Sequence, residues 1–350
     1  MKRALVVRLG ALGDIVHAIP AAAALRRAWP DARIDWLVSA KHAAILELVQ
    51  GIDRRILVND RGGASAGLSV PAAIRELRRG AYDVAFDLQG LMKSALLARA
   101  SGASRVAGFA APYARERLAP LLYTDTYDPG AGGLHDPRDS RHVVALNLGL
   151  LSIVGITPAA VEFPIQAVSS HVALHIHRNT GGRYALVNPG AAWPNKRWPA
   201  ARLAALAAEL RARHGLTSVV LWGPGEEALA SEVVAGAGGA ALLSPPTSVA
   251  DLVALSRGAA LMVSGDTGPL HIAAAVGTPI VGIFGPTRPA RNGPVSPGDI
   301  TVSRDTVCQC HHQRQCRLAR MCLLDIEVAE VVAAVDRRLQ APARVREGQA

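Results

Sequence analysis

The residues best suited to chemistry stand in short polar stretches set between apolar runs. Ser264-Gly265-Asp266-Thr267-Gly268 separates Ala260–Val263 from a small-residue segment, and His271 follows one helical turn later. With a second apolar run at Pro279–Phe284, the pattern predicts a strand, a polar glycine turn, a helix from about Pro269 and another strand. Open α/β sheets take ligands at the carboxyl ends of their strands. A helix N-terminus placed there offers unpaired N–H groups and a positive dipole end to an anion. This stretch therefore suits the phosphates of an activated donor.

Asp14 follows Gly10-x-x-Gly13, where a tight turn enters a helix. As a helix cap it would contribute about 1 kcal/mol. As a carboxylate facing a cleft it would be a general base, kept ionised but weakly basic by helix-end N–H groups. Spacing alone favours the cap. Lys196 lies in the loop Pro189–Arg197, where a cation could neutralise a leaving diphosphate; a plain surface lysine is the alternative. Thr267 could cap its helix or bond a phosphate, and His271 could be a core histidine. Glu226, after the strand Ser218–Trp222, could accept ribose hydroxyls or simply open a helix. Asp87-Leu-Gln-Gly-Leu-Met-Lys93-Ser94 is another strand-end loop. Lys93 with Arg8 and His17 would give the first half of the chain a cationic wall suited to an anionic acceptor.

Several classes are excluded. Neither half has Gly-x-Gly-x-x-Gly after its first strand, which argues against nicotinamide and flavin enzymes, and no P-loop is present. The net charge of +10 calls for an anionic partner or reflects an Arg-rich composition. With only 4% aromatic residues and no basic–aromatic run, nucleic acid is not the expected partner. The four cysteines form Cys308-x-Cys310-x5-Cys316-x5-Cys322, with His311 and His312 between. An unmetallated thiol loop is favoured there over a structural zinc, because the spacing is not a standard zinc pattern. No stretch reads as a signal peptide or a membrane span, so a cytoplasmic protein is expected.

The elements that must position these residues alternate. Strands are expected at Arg3–Leu9, Ile34–Val38, Arg55–Val58, Asp83–Asp87, Tyr184–Asn188, Ser218–Trp222 and Ala241–Leu243, besides the two around Asp266. Helices are expected at about Ile15–Arg27, His42–Val49, Val70–Arg79, Met92–Ala100, Ser140–Val154, Val249–Ser256 and Glu327–Leu339, and from Trp198-Pro199 onward. Gly62–Gly67 reads as a surface loop and Gly130–Pro137 as a lid or a disordered stretch. Thr157–Thr180 lacks strong periodicity and is taken as the linker. Two doubly wound α/β domains facing a cleft follow: 1–168, 169–340 and a tail at 341–350.

Taken together, the motifs resemble the ADP-heptose:lipopolysaccharide heptosyltransferases of glycosyltransferase family 9, inverting enzymes of the GT-B fold. The resemblance rests on Arg8-Leu-Gly-Ala-Leu-Gly-Asp14-Ile-Val-His17, Asp87–Ser94, Asn188-Pro-Gly-Ala-Ala, Lys196-Arg-Trp-Pro199 and Ser264–His271. It spans roughly Arg3 to Leu339, and Asp87–Ser94 leans toward the first-heptose type. It implies Asp14 as the base that deprotonates the acceptor and Lys196 at the donor diphosphate. It also implies Asp266, Thr267, Gly268 and His271 as the donor loop, with Glu226 at the ribose. Ala191 and Ala192 stand where some members carry hydroxyl residues, so backbone N–H groups would serve there. Arg8, His17, Gln89 and Lys93 become candidates for the acceptor. The implied substrates are ADP-heptose and a Kdo–lipid A or inner-core acceptor, met in peripheral contact with the cytoplasmic face of the inner membrane. No cofactor is expected, and no Asp-x-Asp metal motif occurs. A transferase for another nucleotide sugar and a non-catalytic nucleotide-binding protein remain the alternatives.

Overall fold

Valine, leucine and isoleucine runs bounded by glycine and polar turns assemble into two parallel sheets. The computed structural model describes residues 2–60, 66–134, 136, 140–308, 310–311, 313–316 and 321–341. The chain divides into two compact units, Met1–Gln166 and Ala167–Ala350.

The first unit carries β1 (Arg3–Val7), β2 (Arg33–Ser39), β3 (Arg54–Val58), β4 (Val84–Asp87), β5 (Arg105–Phe109) and β6 (Asp125–Tyr127), in the order β3-β2-β1-β4-β5-β6. The second carries β7 (Tyr184–Asn188), β8 (Thr217–Val220), β9 (Ala241–Leu243), β10 (Leu261–Gly265), β11 (Ile280–Phe284) and β12 (Ile300–Ser303), in the order β12-β11-β10-β7-β8-β9. Read from the opposite edge, the second order repeats the first. Every pairing is parallel. Both are the doubly wound dinucleotide-fold order, whose direction reverses at the first strand of each half. The switch points therefore fall between β1 and β4 and between β7 and β10. Central strands are buried on both faces, as parallel sheets require.

Several local expectations need correction. The helix expected at Ile15–Arg27 is two helices, Leu12–Val16 and Ile19–Ala28, because Pro20 sits in the first turn of the second and starts a new helix. The segment at 42–49 is a 3-10 helix, Ala40–Leu48. The strands β5, β6 and β12 went unread. The last two are short, partly exposed edge strands, held by pairing to a neighbour more than by their own apolar content. The supposed linker contains the helix His171–Thr180. Ser170 caps it by accepting from the Ala173 N–H, and Gly181 ends it at a positive φ. The loop expected at 62–67 lies outside the described residues at 62–65, as do His312, positions 135 and 137 of the supposed lid, and the tail from 342 on. No helix among the described residues is long and apolar enough to cross a membrane.

Candidate functional site

At the first switch point, β1 runs into Arg8 and then into the short helix that carries Asp14. Asp14 is not the N-cap. Ala11 occupies that position, and Asp14 stands three residues on, reaching back to accept the Ala11 N–H at 3.2 Å. Its other oxygen pairs with the Arg8 guanidinium at 2.9 Å, while Arg115 approaches the first at 3.4 Å. Arg8 is buried, whereas the Asp14 side chain keeps 22% exposure and so stays reachable from solvent. Burial pushes the Asp14 carboxyl up, but Arg8 and Arg115, with His17 behind them, outweigh it and hold the group well below the usual carboxylate range. Arg8 is anchored in turn, donating also to the Leu88 carbonyl at the end of β4.

The remaining first-unit candidates are engaged in building this end of the sheet. The Gln89 side chain accepts the Leu9 N–H at 2.8 Å and is buried. Lys93 pairs with the Asp60 carboxylate and donates to the Asp60 carbonyl at 2.8 Å. His17 is buried, edge-on to His142 with ring centroids 5.7 Å apart. Asp87, the last residue of β4, accepts from Tyr123 Oη at 2.7 Å, Ser94 Oγ at 2.9 Å and the Gln89 N–H at 2.9 Å. Burial outweighs these bonds and raises its pKa.

At the second switch point, Asn188 ends β7 directly beside Ser264 of β10. Its amide donates to Ser264 Oγ at 3.1 Å, Thr267 Oγ1 at 3.2 Å and the Gly190 carbonyl at 3.0 Å, tying the two strand-end loops together. Lys196 ends the short 3-10 turn Pro194–Lys196. Its ammonium lies 2.6 Å from Asp266 Oδ2 and 4.6 Å from the centroid of the Trp193 ring. The opposite carboxylate oxygen, Asp266 Oδ1, meets His271 Nε2 at 2.9 Å. Burial raises the Asp266 pKa, yet the His271 hydrogen bond and the Lys196 charge overcome it and leave the group far below the ordinary range. Close approach here requires glycine: a Cβ on Gly265 would stand 2.7 Å from the Lys196 carbonyl oxygen.

Thr267 occupies the N-cap position of the helix Gly268–Ala275, but its hydroxyl makes no capping bond and faces Asn188 and Ser264 instead. The first-turn N–H groups of Gly268 and Leu270 precede any intrahelical partner. Ala191 is buried and its carbonyl accepts from Arg197 Nε at 2.9 Å; Ala192 is exposed. Glu226 is the N-cap residue of Glu227–Gly236 and accepts the Gly223 N–H at 3.1 Å. Its carboxylate fills the space that a Cβ on Gly190 would need, 2.1 Å away. Glu226 thus sits at the end of β8, over the β7 loop.

Two partners escaped the sequence reading. Arg115 lies on the loop after β5 and has no periodic signal; only the expectation that strand-end loops converge at a switch point could have flagged it. Asn188 stood within a quoted motif but was given no role. The four cysteines do gather, with Cys308, Cys310 and Cys322 buried together and Cys310 Sγ 3.5 Å from Cys316 Sγ. Burial and the neighbouring Cys308 push the Cys322 thiol up to about 12. Among the described residues no group of three or more His, Cys, Asp or Glu is arranged to hold a metal ion.

Two doubly wound units, each with an ion pair of one buried member at its switch point, define an α/β protein of the class that takes ligands at strand ends. The comparisons narrow this. The model of glycosyltransferase family 9 (heptosyltransferase) matches residues 70–321, and the chain belongs to that family. It is 30% identical over 322 residues to lipopolysaccharide heptosyltransferase 1 of Pseudomonas aeruginosa, covering 87% of this chain and 85% of that protein. It is also 30% identical to lipopolysaccharide heptosyltransferase 1 of Salmonella typhimurium, covering 83% of this chain and 90% of that protein. Among solved structures, the E. coli heptosyltransferase WaaC with ADP superposes with a TM-score of 0.75 at 25% identity, covering 96% of this chain and 99% of that one. The architecture is the GT-B fold.

Proposed function

We propose that this glycosyltransferase moves heptose from ADP-heptose to a Kdo or inner-core sugar of lipopolysaccharide, with inversion at the anomeric carbon. One observation carries the reading: the Lys196–Asp266–His271 cluster stands at the N-terminus of Gly268–Ala275, on the strand ends where doubly wound sheets take nucleotides. The names of the relatives supply the sugar and the acceptor class.

The donor diphosphate meets Lys196 Nζ and the N–H groups of Gly268 and Leu270. Asp266 aims the lysine, and His271 fixes Asp266. Charge that builds on the departing ADP is met by groups already oriented, the arrangement that lowers a barrier most. Because these groups and the helix N-terminus supply the positive charge, the scheme calls for no metal. Glu226, at the end of β8, accepts the ribose hydroxyls in this reading. The acceptor hydroxyl gives its proton to Asp14 as it attacks the anomeric carbon from the face opposite ADP. A carboxylate held this far below its usual range is a weak base. It suits a reaction in which the hydroxyl turns acidic only once it bonds to an oxocarbenium-like centre.

The test is turnover of ADP-heptose against UDP- and GDP-sugars on a Kdo-containing acceptor, in chelator, with the product's anomeric configuration read by NMR. Inverted product from ADP-heptose alone supports the proposal. Retention, or equal use of another nucleotide sugar, overturns it.

A further inference from the structure

Large apolar side chains left in water need a reason when they cluster. In the first unit, Leu96 is 53% exposed, Leu118 61% and Leu121 80%. Leu96 projects from the helix Met92–Ala100. Leu118 and Leu121 stand three apart at the 3-10 turn Ala119–Leu122, a spacing that places them on one side. The turn packs on the helix. The two are also tied by the backbone, since the Met92 N–H donates to Glu116 at 2.6 Å and the Glu116 N–H to the Gly90 carbonyl at 2.9 Å. The leucines thus share one neighbourhood. Leu174 and Val307, the comparably exposed side chains of the second unit, stand on separate segments.

The surroundings are cationic. Arg99, one helical turn past Leu96, and Arg117, next to Leu118, are exposed. Arg78 reaches in from the neighbouring helix, its Nε donating to the Ala100 carbonyl at 3.2 Å. One carboxylate, that of exposed Glu116, stands among them and accepts the Met92 N–H, so the three arginines leave the surroundings net positive.

We infer that Leu96, Leu118 and Leu121, with Arg78, Arg99 and Arg117 around them, form a docking surface for a bilayer of acidic phospholipids. The leucine side chains of the patch enter the headgroup–acyl boundary while the arginines meet lipid phosphates. A protein partner would more usually be met by an aromatic anchor, and none is exposed here. The inference deepens the proposed function, because a lipid-linked acceptor is then approached at the surface that holds it. The patch belongs to the same unit as Asp14, and Arg115, two residues before Arg117, touches Asp14.

The experiment is co-sedimentation of the full chain with vesicles of phosphatidylethanolamine and phosphatidylglycerol, or of phosphatidylcholine alone, at low and high salt. Transfer to an acyl-free Kdo acceptor is assayed alongside. Wild type is expected to bind acidic vesicles and to release them in high salt. Leu118→Ser/Leu121→Ser should bind about tenfold more weakly at every salt concentration. Arg99→Gln/Arg117→Gln should lose about tenfold at low salt and show a flatter salt dependence. Both should keep wild-type turnover of the acyl-free acceptor and unchanged melting temperature. Wild-type binding equal on neutral and acidic vesicles, or a leucine variant that binds like wild type, would overturn the inference. So would a concentration-dependent dimer, without vesicles, that the leucine changes abolish, since the occupant would then be a second copy. Failure of wild type to use the acyl-free acceptor would count against the proposed function, whereas failed sedimentation with normal transfer would count only against the surface.

Discussion

The two switch points have the same strand order around them and opposite electrostatic designs. At the first, a carboxylate that solvent can reach is clamped by cations, one of them buried. At the second, a buried carboxylate is the clamp, and the cation it holds is the group proposed to meet the diphosphate. The backbone plan is shared, so the chemistry lies in which member of the ion pair is left accessible. Asp14 keeps 22% exposure beside Arg8 at 4%; Lys196 keeps 14% beside Asp266 at 6%. The difference teaches that one strand order, used twice, can leave a carboxylate accessible at one switch point and a cation at the other merely by inverting the buried partner.

The strongest way to break the comparison is Asp14→Asn. Transfer should fall by about three orders of magnitude while ADP affinity, set on the other unit, stays within about twofold. Single-turnover rates and calorimetric ADP titration read the two separately. The same change leaves Arg8 buried without its carboxylate, so stability should drop by about 3 kcal/mol, measured by urea unfolding. Turnover like wild type would end the base assignment.

Next in size is Lys196→Ala. It removes a group proposed to act in binding and in the transition state, so kcat/KM should fall about 100- to 1000-fold and ADP affinity should weaken too. If ADP affinity fell with kcat unchanged, the lysine would be a ground-state contact only.

Acid unfolding sharpens the contrast from the stability side. Asp14 and Asp266 both have folded pKa values below their unfolded ones. Each contributes stability that is complete above an unfolded value of about 4 and drains as pH falls toward the folded value. Asp266→Asn should flatten the slope of stability against pH below about pH 4, seen in urea midpoints at stepped pH. A slope unchanged by the substitution would remove the Lys196–Asp266–His271 cluster from the account.

The smallest effect belongs to Arg115→Gln. Its contact with Asp14 is long and exposed, so the rate at neutral pH should change by less than about fivefold. The Asp14 pKa should nevertheless rise, moving the acid limb of kcat/KM to higher pH. An acid limb that does not move would detach Arg115 from the carboxylate.

By itself the sequence determined the doubly wound class and the loops worth watching. Central strands such as Leu261–Gly265 and Ile280–Phe284 are buried on both faces, and burial of that kind leaves an unbroken apolar run in the chain. Glycines and polar residues at the strand ends marked the loops for the same local reason. Two of the four edge strands were not legible; Asp125–Tyr127, for one, is a strand only through its pairing with Gly108 and its neighbours. The helix His171–Thr180 was legible from Ser170 and Gly181 but hidden by a face that buries only Ile176. Tertiary structure alone decided the ion pairs. Arg8 and Asp14 are close in sequence, but Arg115 reaches Asp14 across 101 positions and Lys196 reaches Asp266 across 70. Charge–charge geometry depends on distances of a few ångströms between segments that only the sheet brings together. Spacing along the chain carries no record of which partner the fold will bury.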